Sequence, residues 1–453
     1  MTSQQPLLET LDGVFAWASF TLSLPMIAGL AMMVTGSVRE KQHGTALSSQ
    51  IRLIGWSVLC AFLVGWWLRQ LFVPGPGITG GFGDVSKALP WSSDMGSAGS
   101  VGGSAWLRFA LTSWLVSALV AASLVERIRA ASLLLLTGMA SAICASVVAA
   151  WTWDEQSWLV LLTGTHDAFG AAAIHTLAGG FVLGVLHRIG PRACATTSDG
   201  RIAEVPTATP WLQSLGLFLF IIGLFAFTGS VLRPFVLTDS TGLALNAIGP
   251  YGTPTSLAKV ATNQILALVG GILVGSVLGR GRPHKMLCGG VAGMVGVASG
   301  ADLYHPLQAF LIAGAVTWFA FAVRERLETR YQVDDALGVI SWHGAAGIGS
   351  LVVAGFVLWT IPSTASPDAA TINPFGNAVA ALFAFLIVGY VPAYLATRFL
   401  DYLGILRLPL SVEIAGADLL DDLADARATM EAADRERALV RGALAKQGAH
   451  VVY

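Results

Sequence analysis

Apolar stretches long enough to cross a membrane recur from one end of this 453-residue chain to the other. They fall near 14–36, 51–73, 105–125, 131–153, 168–187, 210–232, 256–279, 286–301, 306–323, 336–361 and 376–398. Each is close to the roughly 20 residues that cross about 30 Å of hydrocarbon. The eighth is the shortest and the richest in glycine. In lipid every backbone N–H and C=O must be satisfied within the segment, so runs of this length fold as helices. The sequence therefore predicts an all-α integral membrane protein with eleven transmembrane helices.

Charge supports that reading. Only 12% of the residues are charged, against about 25% in soluble proteins, and mean hydropathy is +0.68. So few charges cannot solvate the surface of a soluble chain this long. An ordinary soluble enzyme and a disordered chain are excluded, and no enzymatic activity is expected. The net charge of −1 offers no polycationic face for nucleic acid. The 51 glycines suit closely packed membrane helices. Cys60, Cys144, Cys194 and Cys288 form no CxxC pair, so neither a metal centre nor a disulfide framework is expected, and no cofactor is called for. Met1 to Gly13 reads as a short polar tail without the basic start of a signal peptide.

Lysine and arginine set the orientation. The first, third, fifth, seventh and ninth connections hold fourteen of them, from Arg39 and Lys41 through Arg324, Arg326 and Arg330. The even connections and their helix ends hold five: Arg69, Lys87, Arg108, Arg233 and Lys259. The odd connections are then cytoplasmic, the N-terminus outside and the C-terminus inside, which requires an odd number of spans. The Gly-, Ser- and Pro-rich stretch 74–104 becomes an outer loop. Residues 1–400 form the membrane domain and 401–453 a cytoplasmic tail. Within the tail, 415–446 is charged and helix-prone, and Leu423, Met430 and Leu444 share a seven-residue register that Arg437 breaks. A solvated amphipathic helix or a weak coiled coil both fit.

Ionisable residues inside spans are costly and are functional candidates by default. His175 in the fifth span and His343 in the tenth each stand eight residues after an aspartate, Asp167 and Asp335. Eight helical residues rise about 12 Å. The two spans enter from opposite faces, so the histidines meet near the middle of the bilayer. Spans one to five and six to ten then form an inverted repeat, five plus five, with a site at its interface. Ala178-Gly179-Gly180 and Gly344 to Gly347 permit close approach of the helices. Two imidazoles in an apolar passage, each with a donor and an acceptor nitrogen, can hand on a proton or a small polar molecule.

At these residues the chain resembles the ammonium transporter family, with its Amt, Mep and Rh branches. The likeness runs to about residue 420. It rests on Asp167, Phe169, Gly170 and His175, on Asp334, Asp335, Gly338, His343, Gly344 and Gly347, and on Glu126 to Arg129. The segments Gly223 to Ser230 and Ser411 to Asp418 add to it. The resemblance implies a homotrimer in the cell inner (plasma) membrane, one pore per subunit, with ammonium recruited and deprotonated at an outer vestibule. It implies that His175 and His343 line the pore, that Phe227 is the sixth-span gate ring, and that Ser230 is the vestibule hydroxyl. Asp167 either orders the site or caps the fifth helix. Trp158 is the matching vestibule tryptophan, with Trp153 as competitor. The third-span gate ring falls at Thr112, with Phe109 and Trp114 nearby. A PII-type cytoplasmic regulator or a signalling partner is a further implication. The expected function is ammonium transport. An ammonium sensor that signals through its C-terminal helix is the alternative, and passage of carbon dioxide, as in the Rh branch, is a third.

Overall fold

The computed structural model describes residues 5–75, 82–96, 101–193, 195–197, 202, 209–239, 242–366, 369–420 and 430–438. Among them, ten helices are long and apolar enough to cross a membrane. With one shorter helix between the seventh and eighth of these, the bundle reads in chain order: α1 (Gly13–Ser37), α2 (Glu40–Phe72), α3 (Ala105–Ala122), α4 (Ala130–Thr152), α5 (Ala171–Ile189), α6 (Pro210–Ser230), α7 (Leu257–Leu278), α8 (Pro283–Val297), α9 (Pro306–Thr329), α10 (Val339–Val357) and α11 (Pro374–Tyr402).

The short helix is α8, where the sequence led us to expect a full span at 286–301. It has 15 residues, about 22 Å of rise, less than the hydrocarbon thickness. Every residue from Leu287 to Val297 is buried, so it needs no lipid-facing apolar stripe. Its glycines lie on those of α7. A Cβ on Gly271 would fall 2.2 Å from the Gly289 carbonyl oxygen, and one on Gly293 would fall 2.5 Å from that of Ala267. This is the small-residue packing that lets membrane helices associate by backbone contact.

The outermost helix faces carry exposed large apolar residues such as Trp17, Leu22, Ile222, Leu273, Leu311 and Leu395. On helices of this length such apolar faces suit a hydrocarbon surround. The core between the helices is filled by small and apolar side chains, with α3, α4, α5, α8 and α10 the most enclosed.

One element departs from the all-helical expectation. Between α6 and α7 the chain forms a three-stranded antiparallel sheet, β1 (Arg233–Asp239), β2 (Gly242–Ile248) and β3 (Pro254–Thr255), with Arg233 opposite Ile248. The alternation is short and its face small, so the composition of this connection reads only as a loop.

After α11 the tail returns to the bundle. A short helix, Leu410–Ala415, ends at Gly416, whose φ of +97° is left-handed space that glycine enters freely. A 3₁₀ turn follows at Ala417–Leu420. The tail is therefore not one helix from 415 onward. Residues 430–438 are helical, while Leu423 and Leu444 lie outside the described residues, as does Cys194. The Asp418 carboxylate accepts from the Gly44 N–H (2.6 Å), the Thr45 N–H (2.8 Å) and the Thr45 hydroxyl (2.7 Å). The Asp434 carboxylate accepts from Arg129 at 2.7 Å. Replacing Asp418 by alanine is expected to release this anchor, raising amide exchange at Gly44 and Thr45 and protease cleavage after Gly416. Unchanged exchange at both amides would contradict the anchoring role.

Candidate functional site

Two segments with the same local design present the buried histidines. In the first, Gly170 takes a left-handed φ of +84° and the chain then enters a π-helical turn, Ala171–Thr176, at the start of α5. The Asp167 carboxylate accepts from the N–H groups of Ala171 (2.5 Å), Ala172 (2.9 Å) and Ala173 (3.1 Å). In the second, Gly338 has φ +76° and the π-helical turn is Val339–Ala345. Here the Asp335 carboxylate accepts from the N–H groups of Gly338 (3.1 Å) and Ile340 (2.7 Å), and from the Ser123 hydroxyl (2.5 Å). Each aspartate satisfies donors that a helix start leaves orphaned. Each histidine lies within its π-turn, which alters the helical register at that position, a feature common at functional sites.

These turns bring His175 and His343 together. Their Nδ1 atoms are 3.0 Å apart and their ring centroids 5.0 Å, with the planes 21° from parallel. Both side chains are buried, and the Phe220 ring meets His343 edge-on at 6.0 Å. A hydrogen bond between two Nδ1 atoms needs one donor and one acceptor, so at least one ring is neutral. The approach depends on one glycine from each helix, Gly179 of α5 and Gly344 of α10. A Cβ on Gly179 would stand 2.3 Å from the Gly344 Cα, a backbone clash no side-chain movement relieves. Gly179→Val is therefore expected to push α5 and α10 apart and to destabilise the protein by about 1–3 kcal/mol or more. Its thermal midpoint in detergent should fall clearly below wild type, and an unchanged midpoint would contradict the packing described.

A cavity of about 360 Å³ opens at the bundle end that holds few lysines and arginines. It is lined by Trp66, Arg69, Arg108, Phe109, Trp153, Asp154, Glu155, Val231, Arg233 and several smaller contacts. Trp153 connects this mouth to the histidine segment. Its indole N–H donates to the Ala168 carbonyl at 3.1 Å, and its ring lies 6.4 Å from that of Phe227. Phe227 is buried on α6. Ser230 is also buried, and its hydroxyl donates to the Phe227 carbonyl at 2.7 Å. Its oxygen retains acceptor capacity while its proton is engaged.

Trp158 lies elsewhere. Its ring packs on Trp151 at 4.9 Å, in an aromatic group that includes Phe383 and Phe72, and it is not among the residues lining the mouth. Of the third-helix positions, Phe109 lines the cavity with its ring 5.6 Å from Trp66. The Thr112 hydroxyl is bonded to the Arg108 carbonyl, and Trp114 is buried in the core.

Sequence reasoning passed over a second buried pair. His166, next to Asp167, places Nε2 3.1 Å from Asp302 Oδ1, with both side chains fully buried. The Tyr251 ring lies 4.6 Å from His166. Its hydroxyl accepts from the Asp167 N–H at 2.8 Å and donates to the Thr152 carbonyl. The adjacency of His166 to Asp167 was the only sequence signal, and a histidine outside an expected span draws no notice.

The opposite face is tied by charge. Arg192 donates to both Asp334 oxygens (2.8 and 2.9 Å) and to Glu126 (2.6 Å). Arg127 donates to the Asp334 carbonyl (2.6 Å) and to that of Gly190 (2.7 Å). Burial alone would raise the Asp334 carboxyl. The guanidiniums of Arg127 and Arg192 outweigh it and hold the group well below the usual carboxylate range. Burial also lowers Arg127, to about 10. Glu413 extends the network, accepting from Arg407 and from the Ala193 N–H at 2.6 Å.

A family model described as Ammonium Transporter Family matches residues 14–423. Ammonium transporter Amt1 of Methanocaldococcus jannaschii is 25% identical over 415 residues, covering 90% of this chain and 95% of that one. Ammonium transporter 1 member 3 of Solanum lycopersicum is 25% identical over 449 residues, covering 91% and 92%. Among solved structures, a sensor Amt protein superposes with a TM-score of 0.76 at 18% identity, covering 92% of this chain and all of that one. Mep2 of Candida albicans superposes at 0.69 and 17%, covering 88% and 86%. At these identities the superpositions speak to fold alone.

Proposed function

This chain belongs to the ammonium transporter family, and from that premise we propose that it carries ammonium across the membrane as ammonia, through a conduit at His175 and His343. The observation that carries the reading is the 3.0 Å Nδ1 contact between two buried imidazoles, each held by an aspartate-capped π-turn. Ammonium collects in the mouth and loses its proton beside Phe227. The neutral molecule then moves past the histidines, and the proton follows through their alternating donor and acceptor nitrogens. Asp167 is a positioning residue, fixing the turn that presents His175. Ser230 supplies an acceptor beside the gate ring. Trp153 takes the vestibule place considered for Trp158, because it alone of the two lines the cavity.

The same reading assigns α8 to an eleventh, abbreviated pass. It gives an inverted five-plus-five repeat, a membrane domain over 1–400 and a cytoplasmic tail over 401–453. The N-terminus is outside, and three copies assemble in the inner (plasma) membrane. The matched Asp-Gly-His turns support the repeat. The excess of lysine and arginine on the odd connections supports the orientation. No enzymatic step is involved beyond proton transfer. A cysteine placed at Ser3 should react with an impermeant reagent from outside the cell; labelling only from the cytoplasm would contradict the orientation.

A second reading is an ammonium sensor. It is favoured by the tail, where Asp434 pairs with Arg129 beside the bundle and offers a contact for a PII-type regulator or a signalling partner. Reconstituted vesicles separate the two. Isotope-labelled ammonium should enter them about tenfold or more faster than empty vesicles. Binding without uptake would move the assignment to the sensor.

A further inference from the structure

Arg69 ends α2 inside the mouth, where its side chain is only 12% exposed. Its guanidinium carbon lies 5.8 Å from the centre of the Trp66 ring. One nitrogen is 3.2 Å from Asp154 Oδ2 and 3.5 Å from the Trp153 carbonyl. An aromatic face, a carboxylate and a carbonyl are the groups a small cation seeks. Here the chain's own cation holds all three. The indole of the same Trp153 reaches Ala168 and Phe227, so the occupied place adjoins the path toward His175.

The charge around it points the same way. Arg69, Arg108 and Arg233 line the cavity with Asp154 and Glu155. A fixed positive charge in a cleft lowers the local concentration of cations beside it.

We propose that Arg69 is a tethered competitor, a specificity-determining residue whose guanidinium contests the mouth with ammonium and sets a low affinity for it. This rests on the reading that ammonium reaches the conduit through this cavity. A like charge about 6 Å away, at an effective dielectric of about 40 to 80, weakens cation binding about three- to tenfold. Arg69→Gln removes that charge and leaves Asp154 unpaired, so both changes favour the incoming cation.

The test uses the full chain in two measurements, with ammonium chloride as the probe. In reconstituted vesicles the concentration for half-maximal uptake should fall about three- to tenfold in R69Q. Raising added salt from about 20 to about 200 mM should lower that concentration for wild type, because screening relieves repulsion, and the effect should shrink in R69Q. Arg69→Lys keeps the charge and should keep the salt response, which a merely structural loss would not reproduce. Tryptophan fluorescence titration reports binding independently of uptake, with the Kd expected to shift by the same factor. An equal or higher half-saturation in R69Q with uptake intact overturns the proposal and leaves the transport reading standing. If no variant takes up ammonium, the transport reading fails while the titration still decides this one. A lowered Kd upholds it, and an unchanged Kd or no binding overturns it.

Discussion

Replacing His175 or His343 by alanine is expected to reduce ammonium-driven current about a hundredfold, the scale on which a single positioned acid–base group contributes. The two Nδ1 atoms share one hydrogen bond. Loss of either ring removes the partner of the other and breaks the imidazole relay between them. The double replacement should then be scarcely worse than either single one, because the pair acts as a unit. Folding should survive, since Phe220 and the close-packed glycines Gly179 and Gly344 enclose the site without needing the rings. Size-exclusion profiles and vesicle currents recorded together check both halves. Wild-type current in the double variant would refute the relay.

Asp334→Asn is expected to be the most destabilising single change in the charged network of Arg127, Arg192 and Glu126. The carboxylate answers Arg192 through two oxygens and lies 3.6 Å from Arg127. All three side chains are almost wholly buried. Removing one partner of a buried ion network leaves uncompensated charge and costs about 3–5 kcal/mol. The effect should appear as a lowered thermal midpoint in detergent and as faster amide exchange at Arg192, whose N–H donates to the same carboxylate. The pH dependence follows from the depressed carboxyl. Its stabilisation is present above the unfolded value of about 4 and is lost as pH falls further. Wild type and variant should therefore differ by a constant amount between about pH 5 and 8, and converge only on strong acidification. Equal midpoints at pH 7 would contradict the role given to Asp334.

The apolar runs made the helices legible, because lipid imposes one length and one backbone solution. The histidine pair was legible through the equal offsets from Asp167 and Asp335. The structure gives those offsets a cause: a left-handed glycine three residues after each aspartate and a π-turn that follows. What escaped was set by contacts across the chain. Nothing local tells Trp153 from Trp158; the Ala168 carbonyl that holds the Trp153 indole decides which one faces the mouth. His166 and Asp302 are 136 residues apart, and neither falls in an apolar run. Arg69 reads as a basic residue snorkelling from a span end, until Asp154 and Trp66 are seen beside it. Length and burial separate α8 from its neighbours. Its glycines serve the close packing against α7. In the tail, helix propensity favoured continuity, and the positive φ of Gly416 overrides it.

The account turns on whether ammonium passes through the twin-histidine conduit. The direct measurement is the current across a supported membrane bearing reconstituted protein after an ammonium pulse, taken for wild type and for the His175→Ala/His343→Ala double variant in matched amounts. The account predicts a transient in wild type that grows with ammonium concentration and saturates, and a loss of about a hundredfold in the variant. Equal transients from the two proteins, or none from wild type despite demonstrated ammonium binding, would contradict it.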